Sequence, residues 1–251
     1  MAALLEIVNF CDDFLNVNSV KDYGQAYNGL QFENDGTVTK IGAAVDANLL
    51  TIERSIENNI DLLLAHHGML WGQVAPVTKI IHKKYNMLLA SNLAVYGAHL
   101  PLDVHGEIGN NASIVRALGL HQISKILVDK TYDFEIPLAS AEYDRETLGL
   151  KLRALFPQIK CMEFGAENPK KIAICSGGGG SHVVDMIEAG ADTIVTGEGQ
   201  RHLFDIAYEN GINLYLCGHY ATETFGVKNL AELVSKKFGL DWVFIGEECE
   251  L

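Results

Sequence analysis

The sequence predicts an α/β protein of two related α/β halves set around a dinuclear metal cleft, with a small inserted α/β subdomain. Three observations carry this expectation. Short β-rich runs alternate with amphipathic stretches along most of the 251 residues, the pattern of a largely parallel sheet covered by helices. An early segment of the chain matches a late one position by position. Histidine and acidic clusters follow the predicted strand ends, where open α/β sheets bind their ligands.

Taken in order, helical periodicity opens the chain at about 4–15. Strands are expected at 41–45, 61–65, 94–98, 172–175, 193–196 and 213–217, with helices at 49–58, 80–91, 110–118, 182–189, 202–210 and 223–238. Residues 126–167 read differently, as strand, helix over 147–156, and strand. They are expected to form the inserted subdomain, leaving 1–125 and 168–251 as the metal-binding core of two pseudo-repeated halves. A shift of 131 lays KIGAAVDANLLTIERSIENNIDLLLAHHG on KIAICSGGGGSHVVDMIEAGADTIVTGEG without gaps, placing Lys40 on Lys171, Asp61 on Asp192 and Gly68 on Gly199. A shift of 120 then lays AVYGAHLPLD on LYLCGHYATE, so that His99 meets His219 and Asp103 meets Glu223.

Composition narrows the class. A hydrophobic content of 48% supports a packed core, and no apolar run approaches the roughly 18–20 residues of a membrane span. The N-terminus, MAALLEIVNFCDDFLN, carries acids where a signal peptide has basic residues, so a cytoplasmic location is expected. A formal charge of −13 disfavours nucleic acid as a partner, since phosphate binding needs clustered Lys and Arg. The five cysteines, Cys11, Cys161, Cys175, Cys217 and Cys249, show no Cys-x-x-Cys spacing and are expected as buried, reduced thiols.

Four polar clusters follow strand ends: His66-His67, His99 to Asp103, Gly197-Glu198, and His219 to Glu223. Imidazole nitrogen mixed with carboxylate oxygen suits Zn, Mn, Fe or Ni better than Mg or Ca. Adjacent histidines leaving a strand point to opposite sides of it, which suits a pair of ions better than one. His219 and Glu223, four apart at a helix start, can share a face. Each group also has a plain structural alternative. Asp103 can cap the helix near Gly109, Glu223 can be a first-turn acid favoured by the helix dipole, and Asp46 is expected to cap the following helix. The SGGGGS run at 176–181 can present amides to an anion or form a tight turn, but it has neither a P-loop nor a dinucleotide fingerprint.

The strings DLLLAHHG, HLPLDVHGEIGNN and GHYATE, with TGE at 196–198 and NGLQ at 28–31, resemble the Nif-three-like family, whose members are also called GTP cyclohydrolase I type 2 homologues. The resemblance runs through nearly the whole chain in the right order. It implies that His66, His67, Asp103, His219 and Glu223 ligate two divalent metal ions per chain, and that the protein assembles as a toroidal homohexamer. His99 is a ligand by the repeat and an orienting neighbour by the resemblance. Glu198, aligned with His67, is either a proton-transfer group or a structural hydrogen-bonding residue, and His99 is the other proton-transfer candidate. GEGQRHLF at 197–204 departs from the pattern, with a lone His202 where relatives often carry a pair. Two functions fit. One is a metal-dependent hydrolase of a small-molecule substrate, with GTP ring opening suggested by resemblance only. The other is a non-catalytic metal-binding scaffold, chaperone or regulator.

Overall fold

Apolar residues at helical spacing begin the fold, and the computed structural model describes residues 1–24, 26–72 and 75–246. Cys249, expected among the buried thiols, lies outside these residues. The short strand β1 (Ala2–Ala3) leads into α1 (Leu4–Leu15), which buries Leu4, Ile7, Val8, Cys11 and Leu15 along one face. The helix ends where Asn16 takes a left-handed φ of 52°, a conformation Asn tolerates. Next come β2 (Gly29–Phe32), β3 (Thr37–Val38), β4 (Lys40–Asp46), α2 (Leu49–Glu57), β5 (Leu62–His67), α3 (Lys79–Ser91) and β6 (Ala94–Gly97). Then follow α4 (Leu100–Val104), α5 (Asn110–Leu118), β7 (His121–Asp129), β8 (Phe134–Ser140), α6 (Arg145–Leu155), β9 (Lys160–Glu163) and β10 (Ile172–Cys175). A 3-10 turn at Gly179–His182 precedes α7 (Val183–Glu188), β11 (Thr193–Thr196), α8 (Leu203–Asn210), β12 (Asn213–Leu216), α9 (His219–Phe238) and β13 (Asp241–Phe244).

The described chain forms two compact units, one of residues 1–102 with 226–246 and one of residues 103–225. The sheet of the first unit runs β13-β4-β5-β6-β2, parallel except for β2. Its strands β5 and β6 are almost wholly buried, as a sheet covered on both faces requires. Ile52, Leu63, Leu88 and Val95 pack in its core, each contributing on the order of 1.5–3 kcal/mol of burial free energy. Asn48, and not Asp46, caps α2, its side chain accepting from Thr51 N. Asp46 is still the last residue of β4 and so lies too early to reach the helix amides.

The second unit's sheet runs β7-β8-β10-β11-β12-β9. Its parallel centre β10-β11-β12 repeats β4-β5-β6 of the first unit. Leu148, Leu152, Phe156, Ile174 and Tyr215 form its core. The segment 126–167, expected as a separate subdomain, is part of this sheet: β8 pairs with β10 and β9 with β12, both antiparallel. Its first strand is one arm of a β7–β8 hairpin that starts at His121. The physical reason is that β10 and β12 would otherwise expose unpaired backbone edges, and the segment covers both.

The repeat needs one correction. Leu64 pairs with Tyr96 and Val195 with Tyr215, so the third strands align with a shift of 119, and the second half carries one extra residue before its histidine. Both tyrosine hydroxyls donate to a carboxylate, Tyr96 to Asp12 at 2.8 Å and Tyr215 to Glu163 at 3.0 Å. Cys11, Cys175 and Cys217 are buried free thiols, and Cys161 is a half-buried one. No helix among the described residues is long and apolar enough to cross a membrane.

Candidate metal centre

In the first unit the parallel strands end together, and their ends carry three imidazoles. His66 and His67 close β5, and His99 follows β6. His66 is fully buried, and its Nδ1 lies 2.9 Å from the carbonyl oxygen of Ala98. The Nδ1 of His67 lies 2.9 Å from Asp46 Oδ1, and that of His99 lies 2.8 Å from Asp22 Oδ1. A carbonyl or carboxylate can only accept, so each Nδ1 carries a proton, and in the neutral ring the lone pair then lies on Nε2. This is how metal-binding histidines are held, with the outer nitrogen tied to an oxygen and the ring orientation fixed.

The three rings converge. Centroids of His66 and His67 are 4.7 Å apart, those of His66 and His99 5.2 Å, and those of His67 and His99 5.5 Å. One ligand nitrogen from each lies within 4.8 Å of the others, so the donors fit a transition metal. Adjacency on the strand had suggested opposite directions for His66 and His67. The strand stops at His67, and the two anchors belong to the flanking strand ends, Asp46 on β4 and Ala98 after β6, which allows the rings to approach.

Asp22 was not legible as a site residue. Burial would raise its pKa, but hydrogen bonds from His99, Asn28 and the Leu100 amide outweigh that and hold it below the usual carboxylate range. Asn28 donates to Asp22 at 2.8 Å and accepts from the His99 amide at 2.7 Å. Gln31 accepts from the amides of Met69 and Leu70 at 2.6 and 2.9 Å, pinning the loop after His67. A Cβ on Gly68 would meet the Gln31 side chain at 2.0 Å, so only glycine admits this clamp. Asn28 and Gln31 belong to the NGLQ string, the one sequence signal that pointed here.

In the second unit, α9 begins at His219, four residues earlier than expected, and Glu223 is therefore not a first-turn acid. His219 Nε2 lies 3.1 Å from Glu223 Oε1, and its Nδ1 lies 3.0 Å from Glu198 Oε1. Burial lowers the imidazole pKa, but Glu223 and then Glu198 outweigh it and push it up to about 9. Glu223 is only 3% exposed and lies against Gly177, whose φ is +59° and where a Cβ would fall 2.0 Å from Glu223 Oε1. The SGGGGS run is a close-packed turn, with Gly177 against Glu223, Gly179 against Cys175 and Thr196, and Gly180 against the Glu198 backbone. Asp103 is buried inside α4, accepting at 2.9 Å from both Asn110 and Ser176. It does not cap α5, whose cap is Gly109. Glu198 is 56% exposed at its side chain and holds the outer nitrogen of His219. His202 lines a surface pocket that also includes Glu198 and Gly199.

Residues 2–249 match the family described as Duf34/NIF3 (NGG1p interacting factor 3). A protein of Archaeoglobus fulgidus named "GTP cyclohydrolase 1 type 2 homolog" is 37% identical over 242 residues, covering 96% of this chain and 97% of its own. One of the same name from Pyrococcus horikoshii is 37% identical over 246 residues, covering 96% of both chains. The crystal structure of TTHA1606 from Thermus thermophilus superposes with a TM-score of 0.89 at 32% identity, over 99% of this chain and 100% of that one.

Proposed function

Since the chain belongs to the Duf34/NIF3 family, we propose that it is a metal-dependent hydrolase that holds two divalent ions through His66, His67, Asp103, His219 and Glu223. The observation that carries this reading is the arrangement of the imidazoles. His66 and His67 each have Nδ1 tied to an oxygen, which makes Nε2 of the neutral ring the ligand atom, and His99 is held the same way beside them. Mixed nitrogen and carboxylate donors favour Zn, Fe, Mn or Ni. Such ions, when bound, lower the pKa of a coordinated water and polarise the reacting atom of a substrate.

The chain's own residues do the rest. Asp22, Asp46 and the Ala98 carbonyl orient their histidines, while Glu198 keeps a proton at Nδ1 of His219 once Nε2 has been given up. Glu198 and His99 are the residues for proton transfer to and from substrate. The name of these relatives makes GTP the first small molecule to try. The assembly proposed is a homohexamer, and the location cytoplasmic.

Metal analysis of the purified protein is the test, followed by a hydrolase substrate panel including GTP. Two transition-metal ions per chain, reduced at both sites by Glu223→Ala, support the ligand set. A protein free of metal after reconstitution overturns it. Turnover that is lost on chelation and restored by metal supports catalysis, whereas full metal content with an inert panel favours the scaffold reading. Glu198→Gln should keep the metal and slow turnover. Light scattering near 27.5 kDa would defeat the hexamer.

A further inference from the structure

Beside the imidazoles of the first unit lies a cavity of about 500 Å³, the size that small-molecule sites occupy. Its walls include Tyr27, Met69, Trp71, Ile81, Lys84 and Tyr85. Trp71 is shared between the cavity and the histidine cluster. Its ring stands edge-on to His99 at 4.7 Å and to His67 at 5.7 Å. Trp71 is nevertheless 43% exposed and Tyr27 55% exposed, so large aromatic surface faces solvent next to candidate ligands.

These walls are held in place. Trp71 bridges Ala26 in antiparallel register, the Tyr27 amide donates to Leu70 O at 3.2 Å, and Gln31 holds the Met69 and Leu70 amides. Tyr85 is braced against Phe32, with centroids 4.8 Å apart. Lys84, half-buried, is the one cation among the described lining residues, its ammonium donating to Ala47 O at 3.0 Å. The ammonium, which also feels the Asp46 carboxylate, places a positive charge on the wall of an aromatic cavity, where it can attract an anion.

We propose that this cavity is a substrate subsite for a planar heteroaromatic ring bearing an anionic group, of the nucleoside monophosphate class. The ring stacks on Trp71 and the tyrosines, and Lys84 takes the negative charge. Aromatic faces accept any flat ring without hydrogen-bond readout, and an ammonium accepts a phosphate as a point charge. That the ligand's reacting end faces His67 and His99 rests on the metal-centre reading; the binding itself does not.

The experiment uses metal-loaded wild-type protein with adenosine monophosphate, adenosine and ribose 5-phosphate as probes, read by equilibrium dialysis. Intrinsic fluorescence adds a direct report, because the chain has only two tryptophans, Trp71 and Trp242. Saturable binding of adenosine monophosphate with a change in Trp71 emission is expected, and ribose 5-phosphate should bind at least about tenfold more weakly. Trp71→Leu should weaken adenosine monophosphate by about tenfold and Trp71→Phe by less. Lys84→Met should bring adenosine monophosphate down to the level of adenosine. Equal binding of ribose 5-phosphate, no saturable binding, or an unchanged Trp71→Leu affinity would overturn the subsite. An unaffected Lys84→Met would overturn the anionic half. Metal content measured on the same samples reports separately on the histidine ligands, so a failed subsite with metal retained leaves that centre standing.

Discussion

Asp46 accepts a hydrogen bond from His67 Nδ1 across 2.9 Å, although it lies 21 residues earlier and ends a different strand. Asp46→Ala should therefore cost about 10–100-fold in metal affinity while leaving the start of α2 intact. Asn48→Ala should do the reverse, removing about 1 kcal/mol of stability with metal affinity retained. Isothermal titration with Zn or Ni, run beside thermal melts, separates the two. Equal metal affinity in wild type and Asp46→Ala would reject the orienting role.

Metal uptake at His219 should depend on pH. Its folded-state pKa of about 9 exceeds the ordinary 6.5, so the stability from its contacts with Glu223 and Glu198 is complete below about pH 6.5 and is lost as pH rises through about 9. A metal taken at Nε2 displaces that proton, so affinity should rise with pH over the same interval. NMR titration of the metal-free protein should find an imidazole titrating well above 6.5, moved downward by Glu223→Gln. A His219 imidazole, assigned by its loss in His219→Gln, that titrates at 6.5 in the wild type would contradict the geometry.

Gly177→Ala should be destabilising twice over. Left-handed backbone costs a non-glycine residue roughly 1–2 kcal/mol, and the new Cβ would overlap Glu223 Oε1 at 2.0 Å. Gly36→Ala is the control, since its φ is +95° but nothing lies within 4 Å of its Cβ. Both variants should melt earlier, and only Gly177→Ala should lose metal. Retained metal content in Gly177→Ala would show that the carboxylate can shift freely.

The pseudo-repeat has an energetic core. Asp61 accepts from the amides of Thr39 and Lys40 at 2.6 and 3.0 Å, and Asp192 from those of Lys170 and Lys171 at 2.9 and 3.0 Å. Each carboxylate ties the start of one parallel strand to the start of the next. Asp61→Ala and Asp192→Ala should each cost about 1.5–3 kcal/mol in denaturant unfolding, Asp61 more because it also binds the Thr39 hydroxyl. Values within error of wild type would make these contacts incidental.

The sequence by itself determined the strand–helix alternation, the repeated parallel centre and the strand-end positions of the candidate ligands. These depend on local periodicity and on residue types that are uncommon in such clusters. Strands β10 and β11 and helix α5 fell where the pattern put them, because alternation, turn residues and burial all agree there. The tertiary structure alone decided the rest. Asp22 reaches His99 across 77 residues, and one acid among 32 carries no mark that it will orient an imidazole. The merging of 126–167 into the second sheet depends on edge pairing, which periodicity does not encode. The extra residue before His219 was invisible to an ungapped match, because only the pairing of Val195 with Tyr215 fixes the register. Asp46 looked like a helix cap from its spacing, but the strand runs on to include it, and its carboxylate is bound to His67 instead.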